Sequence, residues 1–269
     1  MALLETRALS MSFGGLHAMS NLDMDVQEGA VHGLIGPNGS GKSTFFNLVT
    51  GVYKPNPGSV IRFDGTDVTH FEAHRIAERG VTRTFQLLRL FSEMTVLDNV
   101  LAGHHIHVPY GLAALIFKPK YVRACDSALR DEMMELLSFV GLHEFAELPA
   151  GELSGGQRRL LSLGRAIAMR PKLLMLDEPA AGLSPANVDS LMQIVLDLKE
   201  RYQLTLLIVE HILKVVMDTC DRVTVLDHGQ KIGEGTPAEV KDDAAIIEAY
   251  LGKEMSDEEV RAAFTSGHL

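Results

Sequence analysis

Residues 36–44 of the chain are Gly36-Pro37-Asn38-Gly39-Ser40-Gly41-Lys42-Ser43-Thr44. In this run four residues separate Gly36 from Gly41, and a lysine and a hydroxyl residue follow at once. Loops with this spacing wrap their backbone around the phosphates of a nucleotide, because glycine puts no side chain in the way. The run therefore predicts a phosphate-binding loop.

The segments on either side of the loop support this interpretation. The apolar run Val31–Ile35 precedes it and a helix-compatible run, Phe45–Val49, follows it. A helix N-terminus directs free N–H groups and a partial positive charge at a bound phosphate. Lys42 can supply a full charge to the β- and γ-phosphate oxygens, and the Ser43 hydroxyl is a hard oxygen ligand suited to Mg²⁺. The alternative, a glycine-rich turn that binds nothing, does not explain this strand-loop-helix order.

A second apolar run ends in acidic residues: Lys172-Leu173-Leu174-Met175-Leu176-Asp177-Glu178-Pro179. Side chains alternate along a strand, so the two adjacent acids need not share a role. Asp177 is placed to hold Mg²⁺, as a strand-terminal aspartate does in phosphate-loop enzymes. Glu178 is then free to polarise an attacking water. The alternative is a pair of solvated loop acids, which would leave the metal site that the phosphate loop requires without its aspartate.

Short apolar runs alternate with longer amphipathic segments, which predicts an α/β fold with a mostly parallel core sheet. The predicted core strands are Val31–Ile35, Leu173–Leu176, Leu204–Val209 and Val223–Leu226. The predicted helices are Lys42–Thr50, Tyr121–Val140, Gly155–Met169 and Pro185–Arg201.

The alternation stops in the middle of the chain. Residues from about 87 to 165 contain helical segments with no convincing strand between them, so we expect a helical subdomain inserted into the α/β core. We expect one domain over residues 1–252. In the remaining residues, 253–269, Ser256-Asp257-Glu258-Glu259 has the spacing of a capping box, which favours a C-terminal helix or a tail.

Composition excludes several classes of protein. The formal net charge of -10 argues against nonspecific nucleic-acid binding. Apolar runs such as Leu204–Val209 are far shorter than the ~18–20 residues that cross a bilayer, and residues 1–7 lack the basic and apolar regions of an export signal. We therefore expect a cytoplasmic protein that reaches a membrane only from its surface. Cys125 and Cys220 lack metal-type spacing, and we interpret both as packing residues.

The run Leu153-Ser154-Gly155-Gly156-Gln157 narrows the class of enzyme. Ser154 precedes a predicted helix, so its hydroxyl and the N–H groups of Gly155 and Gly156 form a second helix-terminus anion site. The run resembles the signature motif of the ABC ATPase family, and the family's motifs occur here in the family's order. This resemblance implies an ABC-type nucleotide-binding domain with a mostly parallel core sheet, an antiparallel β part and an inserted helical subdomain.

The resemblance also implies roles for single residues. Phe13 resembles the aromatic residue that stacks on adenine, Gln86 the glutamine that contacts Mg²⁺ and senses the γ-phosphate, and His211 the switch histidine. With Glu178, Gln86 and His211 are the implied catalytic residues. The implied Mg²⁺ ligands are Ser43, Gln86 and Asp177, and the implied ATP-binding residues are Phe13, Gly36, Asn38, Gly39, Ser40, Gly41, Lys42, Ser43 and Thr44.

The family resemblance implies partners as well. ABC ATPases hold ATP between the phosphate loop of one subunit and the signature motif of another, here Ser154–Gln157, in a head-to-tail dimer. The partner would be a second ABC ATPase subunit or a second copy of this chain. Two membrane permeases are implied, with a periplasmic substrate-binding protein acting indirectly. This chain would then be peripheral, at the cytoplasmic face of the inner (plasma) membrane.

Other segments indicate a subclass. Ala180-Ala181-Gly182-Leu183 is similar to the ATPase subunits of branched-chain amino acid importers, as are Thr82–Gln86 and Glu248–Gly252. Ser184 stands where the family most often has aspartate, which puts in doubt any contact across the dimer that needs a carboxylate there. We expect the permease contact just after Gln86, where apolar side chains cluster; the alternative is that these side chains belong to the core. These are Leu87, Leu88, Leu90 and Phe91.

The function implied by this resemblance is that of an ATP-hydrolysing subunit of an ABC importer for branched-chain or related hydrophobic amino acids. Alternatives to it stay open at the level of sequence. The cargo never touches such a subunit, so amides, urea and small aromatic acids are possible cargoes. A lipopolysaccharide exporter is a second candidate, against which the long segment 104–120 counts. A soluble ABC protein acting on DNA or ribosomes is a third, but the sequence has neither a long coiled-coil arm nor a second nucleotide-binding motif.

Overall fold

The computed structural model of the chain describes residues 1–84, 90–107, 110–111, 114, 117–243 and 246. These residues fall into two compact units. The first contains Met1–Arg83 and the described chain from Lys172 onward, and the second contains Thr84–Pro171. The expected domain boundaries, one domain over 1–252 with a subdomain at about 87–165, stay a prediction. The predicted terminal helix or tail at 253–269 lies outside the described residues.

The regular elements of the described chain are β-strands and α-helices. The strands are β1 (Ala2–Phe13), β2 (Leu16–Gln27), β3 (Val31–Ile35), β4 (Val60–Phe63), β5 (Thr66–Asp67), β6 (Val81–Arg83), β7 (Leu173–Asp177), β8 (Thr205–Val209), β9 (Arg222–Asp227) and β10 (Gln230–Gly235). The α-helices are α1 (Lys42–Val49), α2 (Ala73–Glu78), α3 (Val96–His104), α4 (Pro119–Phe139), α5 (Gly155–Ala168), α6 (Pro185–Tyr202), α7 (Leu213–Thr219) and α8 (Pro237–Lys241). In the described chain, helices α3, α4 and α5 follow one another without a strand between them.

The larger sheet of the first unit has the strand order β10-β9-β3-β8-β7-β6. Strand β3 runs parallel to both β8 and β9, and β7 runs parallel to both β8 and β6, whereas β10 is antiparallel to β9. Every residue of β3, β7 and β8 is buried, as expected for parallel strands covered on both faces. The predicted mostly parallel core sheet is therefore confirmed, and its strands and the predicted helices lie within two residues of their expected bounds.

The smaller sheet is antiparallel, with the order β2-β1-β4-β5. Its buried side chains, among them Leu4, Leu22 and Phe63, join the same apolar cluster as Phe45 and Phe46 of α1. The phosphate-loop helix is therefore anchored by two fully buried aromatic rings, which hold its N-terminus in place beyond the carboxyl end of the interior strand β3.

The second unit is helical in its described part. The hydroxyl of Thr95 caps α3 by accepting a hydrogen bond from the Asp98 amide at 3.0 Å. Helix α3 lies close to α5: a Cβ atom at Gly103 would come within 2.4 Å of the Arg165 carbonyl oxygen. Among the described residues, no helix combines the length and the apolar character needed to cross a membrane.

Candidate active site

The phosphate loop begins where β3 ends and closes at the first residue of α1. Gly36 is required there, because a Cβ atom would lie 2.1 Å from the Leu226 carbonyl oxygen and 2.6 Å from the Ser40 hydroxyl. Gly41 precedes α1 with a left-handed φ of 105°, a conformation that glycine adopts without strain. The loop thus has a cradle shape that larger residues at these positions would destroy.

Lys42 points back into its own loop. Its ammonium group donates to the carbonyl oxygens of Gly36 at 2.7 Å and of Pro37 at 3.0 Å, and only 6% of the residue is exposed. Burial lowers the pKa of Lys42 below its ordinary value, while the carboxylates of Glu178 and Asp177 oppose that shift. A buried cation whose partners are weak neutral acceptors is well suited to exchange them for phosphate oxygens.

A pocket of ≈ 390 Å³ opens over this loop in the first unit. It is lined by Phe13, Leu16, His17, Ala18, Asn38, Gly39, Ser40, Gly41, Lys42, Ser43, Thr44, Glu178, His211 and His228. Phe13 lies at the end of β1, is 44% exposed and meets the Tyr53 ring edge-on at 5.3 Å between centroids. An exposed aromatic face beside a phosphate loop can stack on a nucleotide base.

Glu178 and His211 meet at this pocket. The His211 Nε2 atom lies 2.9 Å from the Glu178 Oε1 atom, and both side chains are partly exposed. Glu178 has a left-handed backbone with φ of 49°, which is strained for a residue with a side chain. Its amide donates to the Val209 carbonyl oxygen at 2.9 Å, which ties the end of β7 to the end of β8.

Asp177, the last residue of β7, is nearly buried and pairs with Arg83 of β6 at 2.5 Å. Arg83 also donates to the Asn47 side chain at 2.7 Å and lies over the Phe46 ring. The described residues contain no cluster of three or more His, Cys, Asp or Glu side chains that could enclose a metal by themselves. A single carboxylate beside a hydroxyl-bearing phosphate loop fits Mg²⁺, which commonly takes one or two protein oxygens together with nucleotide phosphates and water; Arg83 would then give up Asp177 to the ion.

The structure brings most of the predicted site residues to one pocket. Gly36 and Asp177 do not line it. The Gly36 carbonyl oxygen accepts a hydrogen bond from the Lys42 ammonium group, and the Asp177 carboxylate forms an ion pair with Arg83. Gln86 lies outside the described residues, so its predicted contact with Mg²⁺ stays a prediction.

Sequence reasoning missed several residues of this region. His17 and His228 line the pocket, and Glu210, next to His211, is 2% exposed. Burial raises the pKa of Glu210, and hydrogen bonds from the backbone amides of Ala180, Ile212 and His211 partly offset this. The position of Glu210 in the sequence could have identified it. Glu210 directly follows the apolar run of β8, much as Asp177 ends the apolar run of β7.

The predicted signature motif lies in the second unit, at the N-terminus of α5. Ser154 and Gln157 form a capping box: the Ser154 hydroxyl accepts from the Gln157 amide at 3.4 Å, and the Gln157 side chain accepts from the Ser154 amide at 2.9 Å. Ser154, Gly155 and Gly156 are exposed. The helix terminus is thus well formed, with its first N–H groups open to a ligand.

Comparison with known families gives two matches. The family described as ABC transporter matches residues 19–181, and the family described as branched-chain amino acid ATP-binding cassette transporter matches residues 230–255.

Similar proteins are found in several organisms. The chain is 41% identical over 251 residues to the high-affinity branched-chain amino acid transport ATP-binding protein BraF of Pseudomonas aeruginosa, with 93% of this chain and 98% of that protein covered. It is 39% identical over 254 residues to the corresponding Escherichia coli protein LivG, with the same coverage.

A solved structure of a nucleotide-free ATP-binding cassette from an ABC transporter has a TM-score of 0.80 and 35% identity, covering 94% of this chain and 100% of that one. A cassette in its ADP conformation gives a TM-score of 0.80 and 34% identity, with the same coverage. With a family match over more than half of its length and such relatives over nearly all of it, this chain belongs to the family of ABC transporter ATP-binding proteins.

Proposed function

We propose that this chain is the ATP-hydrolysing subunit of an ABC importer for branched-chain or related hydrophobic amino acids. The observation that carries the proposal is the shared pocket of Lys42, Ser43, Glu178 and His211, which combines phosphate binding with a base. The relatives named for high-affinity branched-chain amino acid transport support the choice of cargo.

In this proposal the phosphate loop binds ATP. Its backbone amides and the N-terminus of α1 surround the phosphates, and Lys42 exchanges the carbonyls of Gly36 and Pro37 for β- and γ-phosphate oxygens. Phe13 stacks on the adenine. Ser43 and Asp177 would hold Mg²⁺, which draws negative charge from the phosphate oxygens when bound.

Hydrolysis then depends on the Glu178–His211 pair. Glu178 accepts a proton from the water whose oxygen bonds to the γ-phosphorus, while the bond from that phosphorus to the departing ADP oxygen breaks. His211, held 2.9 Å from Glu178, orients that carboxylate and contacts the γ-phosphate side of the pocket. Base catalysis of this kind is worth ~10²–10⁴ in rate.

A second ATPase subunit, either a sister protein or another copy, completes the site. We infer that its Ser154–Gln157 terminus binds the γ-phosphate of ATP held by this chain, and that this chain's own terminus does the same for the partner. The exposure of Ser154, Gly155 and Gly156 supports this role. Two permeases and, through them, a periplasmic binding protein complete the importer. The chain would then sit peripherally at the cytoplasmic face of the inner membrane.

Phe91 is our candidate for the permease contact. It is 52% exposed, and its backbone is fixed by Asn99, whose side chain accepts from the Phe91 amide at 2.9 Å and donates to its carbonyl at 3.0 Å. Leu90 is half-buried, and Leu87 and Leu88 lie outside the described residues. An exposed aromatic ring whose backbone is held in this way can dock into an apolar partner surface.

The test is a pull-down of the tagged chain from detergent-solubilised membranes, with ATPase activity assayed in the eluate. Recovery of two permeases, a second ATPase subunit and ATPase activity would support the importer. Recovery of ribosomal or DNA-repair proteins without permeases would refute the transport role while keeping the ATPase. In parallel, Phe91→Ala should lose permease recovery but keep nucleotide binding, whereas substitution of the exposed Ile106 should change neither.

A further inference from the structure

Glu210 is a buried acid that the reaction described above does not use. It follows the last residue of β8 and precedes His211, and only 2% of it is exposed. A carboxylate is buried this deeply only when several donors compensate for lost hydration.

The donors to Glu210 come from two separate segments. Its Oε1 atom accepts from the Ala180 amide at 2.6 Å. Its Oε2 atom accepts from the His211 amide at 3.1 Å and from the Ile212 amide at 3.5 Å. One carboxylate therefore bridges the turn after Glu178 and the loop that carries His211.

The turn after Glu178 needs such support. Its left-handed backbone, with φ of 49°, is unfavourable for glutamate and persists only when neighbouring contacts fix it. The Glu178 amide is held by the Val209 carbonyl at 2.9 Å, and the Ala180 amide, two residues on, is held by Glu210. The pair Glu178–His211 thus depends on contacts with the end of β8 on both sides.

We propose that Glu210 is a positioning residue that fixes Glu178 and His211 relative to each other for hydrolysis. The inference rests on the proposed ATPase function and deepens it. The carboxylate is needed because both of its oxygens accept. A glutamine offers one accepting oxygen and one NH₂ group, which would face the Ala180 or the His211 amide, donor against donor.

The experiment compares the wild type with Glu210→Gln: kcat and KM for ATP are measured on the complex with its partner subunits, and thermal stability on the chain itself. We expect kcat to fall about 10- to 100-fold, since small displacements of a catalytic group have effects of that size. KM for ATP should change less than about twofold, because the phosphate loop lies between β3 and α1, whereas Glu210 holds the segments after β7 and β8. The control is Glu234→Gln, which alters a partly buried glutamate bound to Arg222 and Lys231, and kcat should not change.

A second comparison separates positioning from general support of the fold. Single-turnover rate constants for ATP hydrolysis are compared in two backgrounds, wild type and His211→Ala. In the His211→Ala background one member of the pair is absent, so adding Glu210→Gln should lower this rate constant by less than about threefold, against about 10- to 100-fold in the wild type. An equal loss in both backgrounds, or a rise in KM that matches the fall in kcat, would overturn the proposal. If Glu210→Gln does not fold, Glu210→Asp, which keeps the charge but shortens the reach, is tested against the same criteria.

Failure of the inference and failure of the proposed function give different results. A wild-type chain that neither binds nor hydrolyses ATP, alone or with its partners, would refute the function itself. An active wild type whose Glu210 variants keep full kcat would refute only the positioning role.

Discussion

Substituting His32 by glutamine should make the folded protein less sensitive to mild acid. His32 is the second residue of β3, is 1% exposed, and its Nε2 atom is 2.8 Å from the Thr224 hydroxyl oxygen of β9. Burial lowers the pKa of His32 from 6.5 to about 4. The ring is therefore neutral in the folded protein at pH values where it is already protonated in the unfolded chain.

The sign and size of the effect follow from proton binding. Below pH 6.5 the unfolded state carries the additional proton, so the free energy of unfolding falls as the pH falls, until the folded protein is protonated near pH 4. Each pH unit within this window contributes ~1.4 kcal/mol, so lowering the pH from about 7.5 to about 5 should remove ~2 kcal/mol through His32 alone.

Urea unfolding followed by circular dichroism at both pH values, on the wild type and on His32→Gln, tests this. The fixed cost of burying an amide cancels when the pH dependences are compared. Wild type should lose ~2 kcal/mol more than the variant on acidification. The exposed His74→Gln variant should behave as wild type. Equal losses in wild type and His32→Gln would refute the assignment of acid sensitivity to this ring.

Three further outcomes are expected at the pocket. Lys42→Ala should weaken ATP binding itself by more than about tenfold, measured by calorimetry, because the displaced charge is buried in the loop; unchanged affinity would count against the phosphate-loop assignment. Gly36→Ala should abolish ATP binding and lower the free energy of unfolding by about 1–3 kcal/mol, since its Cβ would collide with the Leu226 carbonyl; a normal melting temperature would contradict this. Glu178→Gln should keep ATP affinity but slow hydrolysis at least about a hundredfold, and unchanged turnover would remove Glu178 from the mechanism.

The core of the fold was predictable because burial on both faces leaves an unambiguous pattern. Strands β3, β7 and β8 are mostly apolar and fully buried, interrupted only by residues such as His32 and Thr205, and their bounds follow from the apolar runs. The long strands β1 and β2 were not assigned. Their pairing contains register shifts, one of them between Thr6 and Leu9, and Leu3 and Leu4 are buried in succession, so the period of two is lost. An irregular strand gives no regular pattern to detect.

The site was predictable where the spacing of a local motif is enough to assign a role, as it is for Lys42 and Ser43. It was not predictable where the role depends on a tertiary contact. Glu210 can be noticed as an acid that follows an apolar run, but its role cannot be predicted, because only the adjacency of β7 and β8 brings the Ala180 amide to it. Arg83 is similar, since the pairing of β6 with β7 places it beside Asp177.

The position of β3 in the sheet has a consequence for synthesis of the chain. β3 carries the phosphate loop near the N-terminus, yet its two neighbours, β8 and β9, begin only at Thr205 and Arg222. A ribosome must therefore translate most of the protein before this strand can pair at all. Pairings so distant in sequence form slowly and leave apolar edges uncovered meanwhile. ATP can therefore stabilise the folded chain only after β8 and β9 have left the ribosome. A fragment that ends before β8 should gain no stability from ATP.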